Sequence, residues 1–333
     1  MMVIEEIGGR ARALLRSAIV WDNHGCLPLR ADETFLPQLA RYRDSGVNVV
    51  SINIGFADMS WAEHLTMLSF LRRWISLHPE SYRLVSTVDD IQRCKREQRL
   101  GIVFDIEGMC PVEENLHLVQ TFYELGVRWM LIAYNRNNAA GGGCLDADAG
   151  LTSIGRSVID EMERVGMVLC LSHTGARTAA EALEYARNPA IFSHSNPYGD
   201  TPHSRNIADP LMQACARKGG VIGLSGLGPL LGGDSRLVDR LLRQLHYGID
   251  RVGADHIGLG LDFVFDMAEL DELVRSNPTL FPLGMDMSGG IPMIAPEAMG
   301  VVAERLAQDN LTDSQISGIL GGNWFRVAAQ VWR

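Results

Sequence analysis

The sequence contains no uninterrupted apolar run of about eighteen residues, the length that marks a membrane-spanning helix. It has no Pro/Gly/Ser linker, no block of like charge and no low-complexity segment, so nothing in its composition divides the 333 residues into separate units. Cysteine is sparse. Six are scattered without a framework spacing, which excludes a disulfide scaffold and fits free thiols in a reducing cytoplasm. Basic residues are outnumbered: 30 Lys and Arg against 40 Asp and Glu, a formal charge of −10. With the two signs interspersed, there is no nucleic-acid footprint. The opening "MMVIEEIGGRARALLR", with Glu5, Glu6, Arg10, Arg12 and Arg16, lacks the apolar core of a secretion signal, and the closing "VAAQVWR" lacks a lipid-anchor tail. The expectation is a soluble, cytoplasmic protein with neither a nucleic-acid nor a membrane partner.

What the sequence does have is alternation. Short apolar, β-branched runs at 18–24, 47–55, 101–107, 127–134, 167–173, 190–194, 220–225 and 257–262 are each followed by a stretch of helical period. Those helices are expected at 33–44, 60–77 with 87–97, 113–125, 153–165, 176–187, 208–218, 234–252 and 296–308, with more helix over 312–331. Eight strand-then-helix units imply a parallel sheet with right-handed crossovers, and eight is the number that closes a TIM (β/α)8 barrel. The doubly wound alternative needs a glycine fingerprint. "GLGLDF" has Phe263 and "GLGPLL" has Leu231 where its third glycine belongs. The reading is one α/β barrel domain, 1–333, with extra N- and C-terminal helices.

In such barrels the chemistry gathers at the C-terminal ends of strands. In "VWDNHGCLP", His24 and Cys26 lie two apart and share a face of the first strand. Direct contact between them is not expected, because alternate residues of a strand lie about 6.5 Å apart along it. The third strand ends in Glu107, the fourth in Tyr134 and Asn135, the fifth in His173, the sixth in His194 and the eighth in Asp262. Imidazole, thiolate and carboxylate are zinc ligands. Glu107 is placed to bridge two ions and Asp262 to shuttle a proton. His64, His78 and His117 fall on helices or their ends and are read as surface groups. His256 starts a strand at the stability end, and His203, in the loop after the sixth strand, is left outside the site.

These residues carry a family resemblance. "WDNHGCLP", "DIEGM", "GLTSIGRSVIDEMERVGMVLCLSHTG", "AIFSHSNPYGDTPHSRNIAD", "IGLGLDF" and "GGNWFRV", in that order over almost the whole chain, resemble the signature segments of the membrane (renal) dipeptidases. That is peptidase family M19, zinc peptidases of the amidohydrolase superfamily. The resemblance implies a barrel with two Zn2+ ions that hydrolyses dipeptides, often accepting a D-residue at the second position. It implies Glu107 as the bridge, His173 and His194 on one ion, and His24 on the other. Arg205 would hold the substrate carboxylate and Asp262 would act as acid and base. Tyr134 and Asn135 would face the substrate. A homodimer is compatible with this reading.

The chain departs from its family at three places. Cys26 replaces an aspartate, Tyr134 replaces the histidine that polarises the scissile carbonyl, and Asp105 replaces a glycine. A phenol donates one hydrogen bond but carries no positive charge near neutral pH. Asp105 is read as an interior hydrogen-bonding group, with a substitute ligand as the alternative. Three metal outcomes stay open: a Cys26-ligated pair, one ion on Glu107, His173 and His194, or an emptied site. Beside the dipeptidase stand a hydrolase of another amide or N-acyl compound, a cysteine nucleophile, and a barrel that only binds a ligand.

Overall fold

In the computed structural model, described over residues 7–57, 59–281 and 290–333, a parallel sheet curls with helices on its outside. The expectations placed on Glu5 and Glu6 fall outside these residues. After α1 (Gly9–Ser17) the elements relevant to the site are β1 (Trp21–Cys26), α2 (Ala40–Asp44), β2 (Val49–Phe56), α3 (Trp61–Leu77), β3 (Tyr82–Leu84), α4 (Val88–Glu97) and β4 (Leu100–Glu107). Then come α5 (His117–Glu124), β5 (Val127–Leu131), α6 (Ser153–Val165), β6 (Val168–Cys170), α7 (Ala176–Tyr185), α8 (Asp209–Arg217) and β7 (Ile222–Leu224). The chain ends with α9 (Gly228–Leu231), α10 (Leu237–Val252), β8 (Ile257–Leu259), β9 (Phe263–Val264), α11 (Met267–Ser276), α12 (Met299–Gln308), α13 (Asp313–Ser317) and α14 (Asn323–Val331).

The regular ladder runs β6-β5-β4-β2-β1-β8-β7, all parallel. The expected closed eight-stranded ladder is not formed, because 190–194 is not a regular strand. It meets β6 and β7 through single bridges, Cys170 with Ile191 and Phe192 with Ile222. The Ser193 carbonyl lies close to Gly223 and Gly260, where a Cβ would come within 2.1 and 2.0 Å, so both neighbouring positions require glycine. β3, β9, α9 and α11 are elements that periodicity did not reveal. The helical stretch expected over 312–331 forms α13 and α14, separated by non-helical backbone at Gly321.

Side-chain alternation decides what faces the interior. Trp21, Val49, Val103, Trp129 and Val168 cluster there, capped from below by Trp324 and Val327 of α14. Val50, Ile52, Ile102 and Phe104 point the other way, into the large core beneath the helices. β1 changes phase part-way. Trp21 pairs with inward Val49, but Gly25 pairs with outward Ile52, so one extra residue is bulged between Asp22 and Gly25. A Cβ on Gly25 would lie 2.6 Å from the Tyr42 hydroxyl of α2, on the outer side. The bulge therefore turns His24 and Cys26 inward above Trp21 and Asn23, the re-aiming that β-bulges perform beside active sites.

Candidate metal centre

Around Glu107, at the end of β4, three imidazoles converge. Its Oε1 lies 3.5 Å from His24 Nε2, 3.4 Å from His173 Nε2 and 3.3 Å from His194 Nε2, and this buried atom has no hydrogen-bond partner among the described residues. The Nε2 atoms of His173 and His194 are 2.8 Å apart. His173 donates from Nδ1 to the Asn135 carbonyl oxygen at 2.7 Å, which leaves a lone pair on Nε2. His194 Nδ1 sits 2.8 Å from the Ser193 hydroxyl. Burial, with Arg205 and His24 nearby, holds the pKa of both rings well below the usual range, so both are neutral. Neutral nitrogen lone pairs aimed together at a carboxylate oxygen are a donor set that a cation satisfies. His24, Cys26 and Asp262 form a second group, their ligand atoms within 4.8 Å of one another.

Contrary to the strand-spacing argument, Cys26 Sγ lies 3.5 Å from His24 Nε2, and also 3.5 Å from Asp262 Oδ1. The bulge shortens the reach that a straight strand would impose. Burial pushes the thiol up to about 12 despite His24 beside it, so the pair does not make a thiolate nucleophile. Burial also opposes charge on His24, yet Cys26, Glu107 and Asp105 together draw its pKa well above the usual imidazole range. Glu107 is pushed up to about 8 by burial, against the pull of His24.

Groups that position these side chains surround them. Asp105 Oδ2 lies 3.4 Å from His24 Nδ1, and Asn53 donates to the other carboxylate oxygen at 3.0 Å. Asp105 thus has the interior hydrogen-bonding place expected of it. Asp22 accepts from the Leu261 backbone at 2.7 Å, tying β1 to the turn that carries Asp262. Asn135, His173 and Asp262 all have positive φ, of 58°, 62° and 61°. Such backbone is uncommon in non-glycine residues and concentrates at functional sites.

The centre opens into a cavity of about 460 Å3 lined by Cys26, Glu107, Tyr134, His173, Arg205 and Asp262, among others. Tyr134 stacks on His173, ring centroids 4.1 Å apart, and packs on Phe56. Arg205 is buried, and its Nη1 has no partner among the described residues. Asn135, expected to touch substrate, has its side chain on His173 and on the Leu280 carbonyl. His203 lines the cavity after all and accepts from the Arg205 backbone; both follow the sixth strand-like segment. His64 is not a surface group. It is fully buried against Gly55, where a Cβ would come within 2.4 Å of its ring.

The model of the membrane dipeptidases, peptidase family M19, matches residues 9–273. The chain belongs to the membrane dipeptidase family. A dipeptidase of Schizosaccharomyces pombe, described as uncharacterised, is 28% identical over 272 residues, 79% of this chain. The chain spans 61% of that relative's length. Among solved structures, an amidohydrolase from Pseudomonas aeruginosa superposes with a TM-score of 0.88 at 24% identity, covering 97% of this chain and 99% of its own. A metallopeptidase from Rhodobacter sphaeroides, solved with a phosphinate mimic of the dipeptide L-Ala-D-Ala, superposes with a TM-score of 0.73 at 19% identity, covering 95% of this chain and 100% of its own. At such identities the structures establish a shared fold.

For this member of the membrane dipeptidase family, sequence reasoning found the donor residues but missed the groups that aim them. Asn53 and Asp22 sit at buried positions with no motif to mark them. Glycine at 25, between two ligand-type residues, was the readable sign that the strand changes phase there.

Proposed function

We propose that the chain is a zinc-dependent dipeptidase-like hydrolase that cleaves the amide of a dipeptide or related small molecule bearing a free carboxylate. The observation that carries this is the convergence of three imidazole Nε2 atoms on the unpartnered Oε1 of Glu107. In this reading Glu107 would serve both of two ions, His173 and His194 would help hold one, and His24 with Cys26 would help hold the other. Zinc supplies Lewis-acid polarisation and a water made acidic enough to attack near neutral pH. Arg205, a buried guanidinium whose Nη1 has no hydrogen-bond partner among the described residues, receives the substrate carboxylate. Asp262 accepts a proton from the attacking water and returns it to the leaving amine. Tyr134 would donate a hydrogen bond from its hydroxyl to the oxygen that becomes negative as the carbonyl is attacked.

The curled sheet is read as the (β/α)8 barrel of the amidohydrolases, with 190–194 as its eighth stave and 1–333 as one domain with added terminal helices. No helix among the described residues is long and apolar enough to cross a membrane. No disulfide links the cysteines, which supports a place in a reducing cytoplasm, and a homodimer is compatible with the fold.

Tyr134 and Cys26 favour a second reading, hydrolysis of a different amide or N-acyl compound, because the oxyanion partner and one ligand differ from the family pattern. One experiment tests the shared core of both. Dialysis against a strong chelator should abolish amide hydrolysis, and added zinc should restore it. Undiminished hydrolysis by protein shown free of metal would end the metallohydrolase proposal.

A further inference from the structure

The cavity is larger and more aliphatic than the chemistry at its base requires. Its volume, about 460 Å3, lies in the range of about 300–1,000 Å3 typical of sites for drug-sized ligands. Much of its wall grows directly from the centre: Leu27 and Leu29 continue the chain past Cys26, and Val264 stands two residues beyond Asp262. Leu270 and Leu273, one turn apart on α11, line the same cavity, as does Ile291.

α11 has no buried residue, although its sequence is amphipathic. It is held by polar ties at both ends. Arg30 pairs with Asp266 at 2.7 Å and with Glu269 at 3.1 Å, and the Leu29 backbone donates to Glu269. Beyond its C-terminus, Asn135 and Arg136 donate to the carbonyls of Leu280 and Thr279. The helix is thus tethered over the cavity by hydrogen bonds and ion pairs while its leucines remain half-exposed. Among the described residues nothing completes the burial of those leucines, and a ligand in the cavity would add to it; apolar burial is favourable in proportion to area. Arg205, in the loop after 190–194, lines the same cavity. A ligand anchored there by its carboxylate, with its amide at the centre, would turn its acyl end to the wall that continues from Cys26 and Asp262, namely Leu27, Leu29 and Val264.

We infer that the substrate carries a large apolar group on the acyl side of the scissile amide, seated on Leu27, Leu270, Leu273 and Ile291 beneath α11. This names the substrate class within the hydrolase reading and rests on it. Kinetics of the zinc-loaded protein on Gly-Ala, Phe-Ala and Ala-Phe test it. The kcat/KM for Phe-Ala should exceed that for Gly-Ala by about tenfold or more, the scale of burying one aromatic side chain, and Ala-Phe should show no such gain. Leu273→Asn should lower kcat/KM for Phe-Ala about fivefold more than for Gly-Ala. Equal values for Phe-Ala and Gly-Ala, or a gain confined to Ala-Phe, overturn the inference and leave the hydrolase reading standing. If no dipeptide is cleaved, the dipeptidase reading fails, and calorimetry decides the subsite alone. N-(phenylacetyl)glycine should then bind about tenfold more tightly than N-acetylglycine, and equal affinities overturn the inference.

Discussion

Arg205 is a guanidinium that is only 5% exposed, with one nitrogen lacking a partner among the described residues. Burying a guanidinium with one nitrogen unsatisfied is costly, and an anion at that nitrogen would offset the cost. Arg205→Met should therefore raise KM for a dipeptide with a free carboxylate far more than for its C-terminal amide, by about 2–4 kcal/mol in binding. Steady-state kinetics on the two substrates measure it, and equal losses would mean that Arg205 only holds its loop. Cys26 allows a test by counting. If sulfur ligates, Cys26→Ala should lose about one metal per chain and keep the other on Glu107, His173 and His194, as read by elemental analysis. The thiol should also react with an alkylating reagent only after metal removal; the same metal count and thiol reactivity throughout would show an unligated sulfur. At this scale the sequence was legible where chemistry demands a residue type at a strand end, as with Glu107, His173 and His194. It was illegible where one buried group merely aims another. Asp22, Asn53 and Asn135 carry no spacing that betrays their partners, because those partners are distant in sequence.

Helices that follow strands position the ligands, and α7 does so for His173, which it follows by two residues. Its N-cap, Gly175, has no side chain to bond the first turn. Asp148 supplies the missing acceptor from a neighbouring loop, taking hydrogen bonds from the backbone and hydroxyl of Thr178 at 2.9 and 2.5 Å and from the Gly150 backbone at 2.9 Å. Burial alone would raise its pKa, but the Thr178 and Gly150 hydrogen bonds outweigh this and hold it below the usual carboxylate value. A carboxylate with a depressed folded pKa contributes stability that is present above its unfolded value, about 3.9, and is lost as pH falls through the folded value. Asp148→Asn should therefore cost about 1 kcal/mol near neutral pH, and the difference from wild type should shrink as pH drops below about 4. Denaturant unfolding at several pH values checks it; a pH-independent difference would locate the effect in packing. Periodicity recovered α6 and α10 closely, since each has a strong apolar stripe. It overlooked α11, whose apolar face meets a cavity instead of a core, although Asp266 followed by Glu269, and Asn277-Pro278 at the far end, are readable start and stop signals.

Over the whole molecule, the ligand-type residues come from separate parts of the chain: β1, β4, the turn after β6, and the irregular segment 190–194. An ion held by Glu107, His173 and His194 would join three of these, including the one segment that the regular ladder leaves out. Because such an ion binds only the folded chain, saturating zinc should raise Tm by several degrees, in line with the few kcal/mol that ligand binding at about 100-fold its Kd contributes. Calorimetry of metal-free and zinc-loaded protein tests this, and an unchanged Tm would mean that the staves are held without the ion. The eight-fold alternation was legible because β-branched runs mark staves; the open ladder was not, because regular pairing of 190–194 depends on contacts with β6 and β7 that no local pattern records. The bulge in β1 has a consequence of a different kind. It acts like a shift of reading frame within one strand: Trp21 and Asn23 are read inward in one frame, His24 and Cys26 in the other. Floor and rim are thus decoupled, so residues that pack the base can vary without turning the ligands. Loss of Asn23, by contrast, would erase the extra residue and restore strict alternation, with His24 taking the inward place opposite Ser51 and Cys26 still inward, so the two inward frames would merge into one.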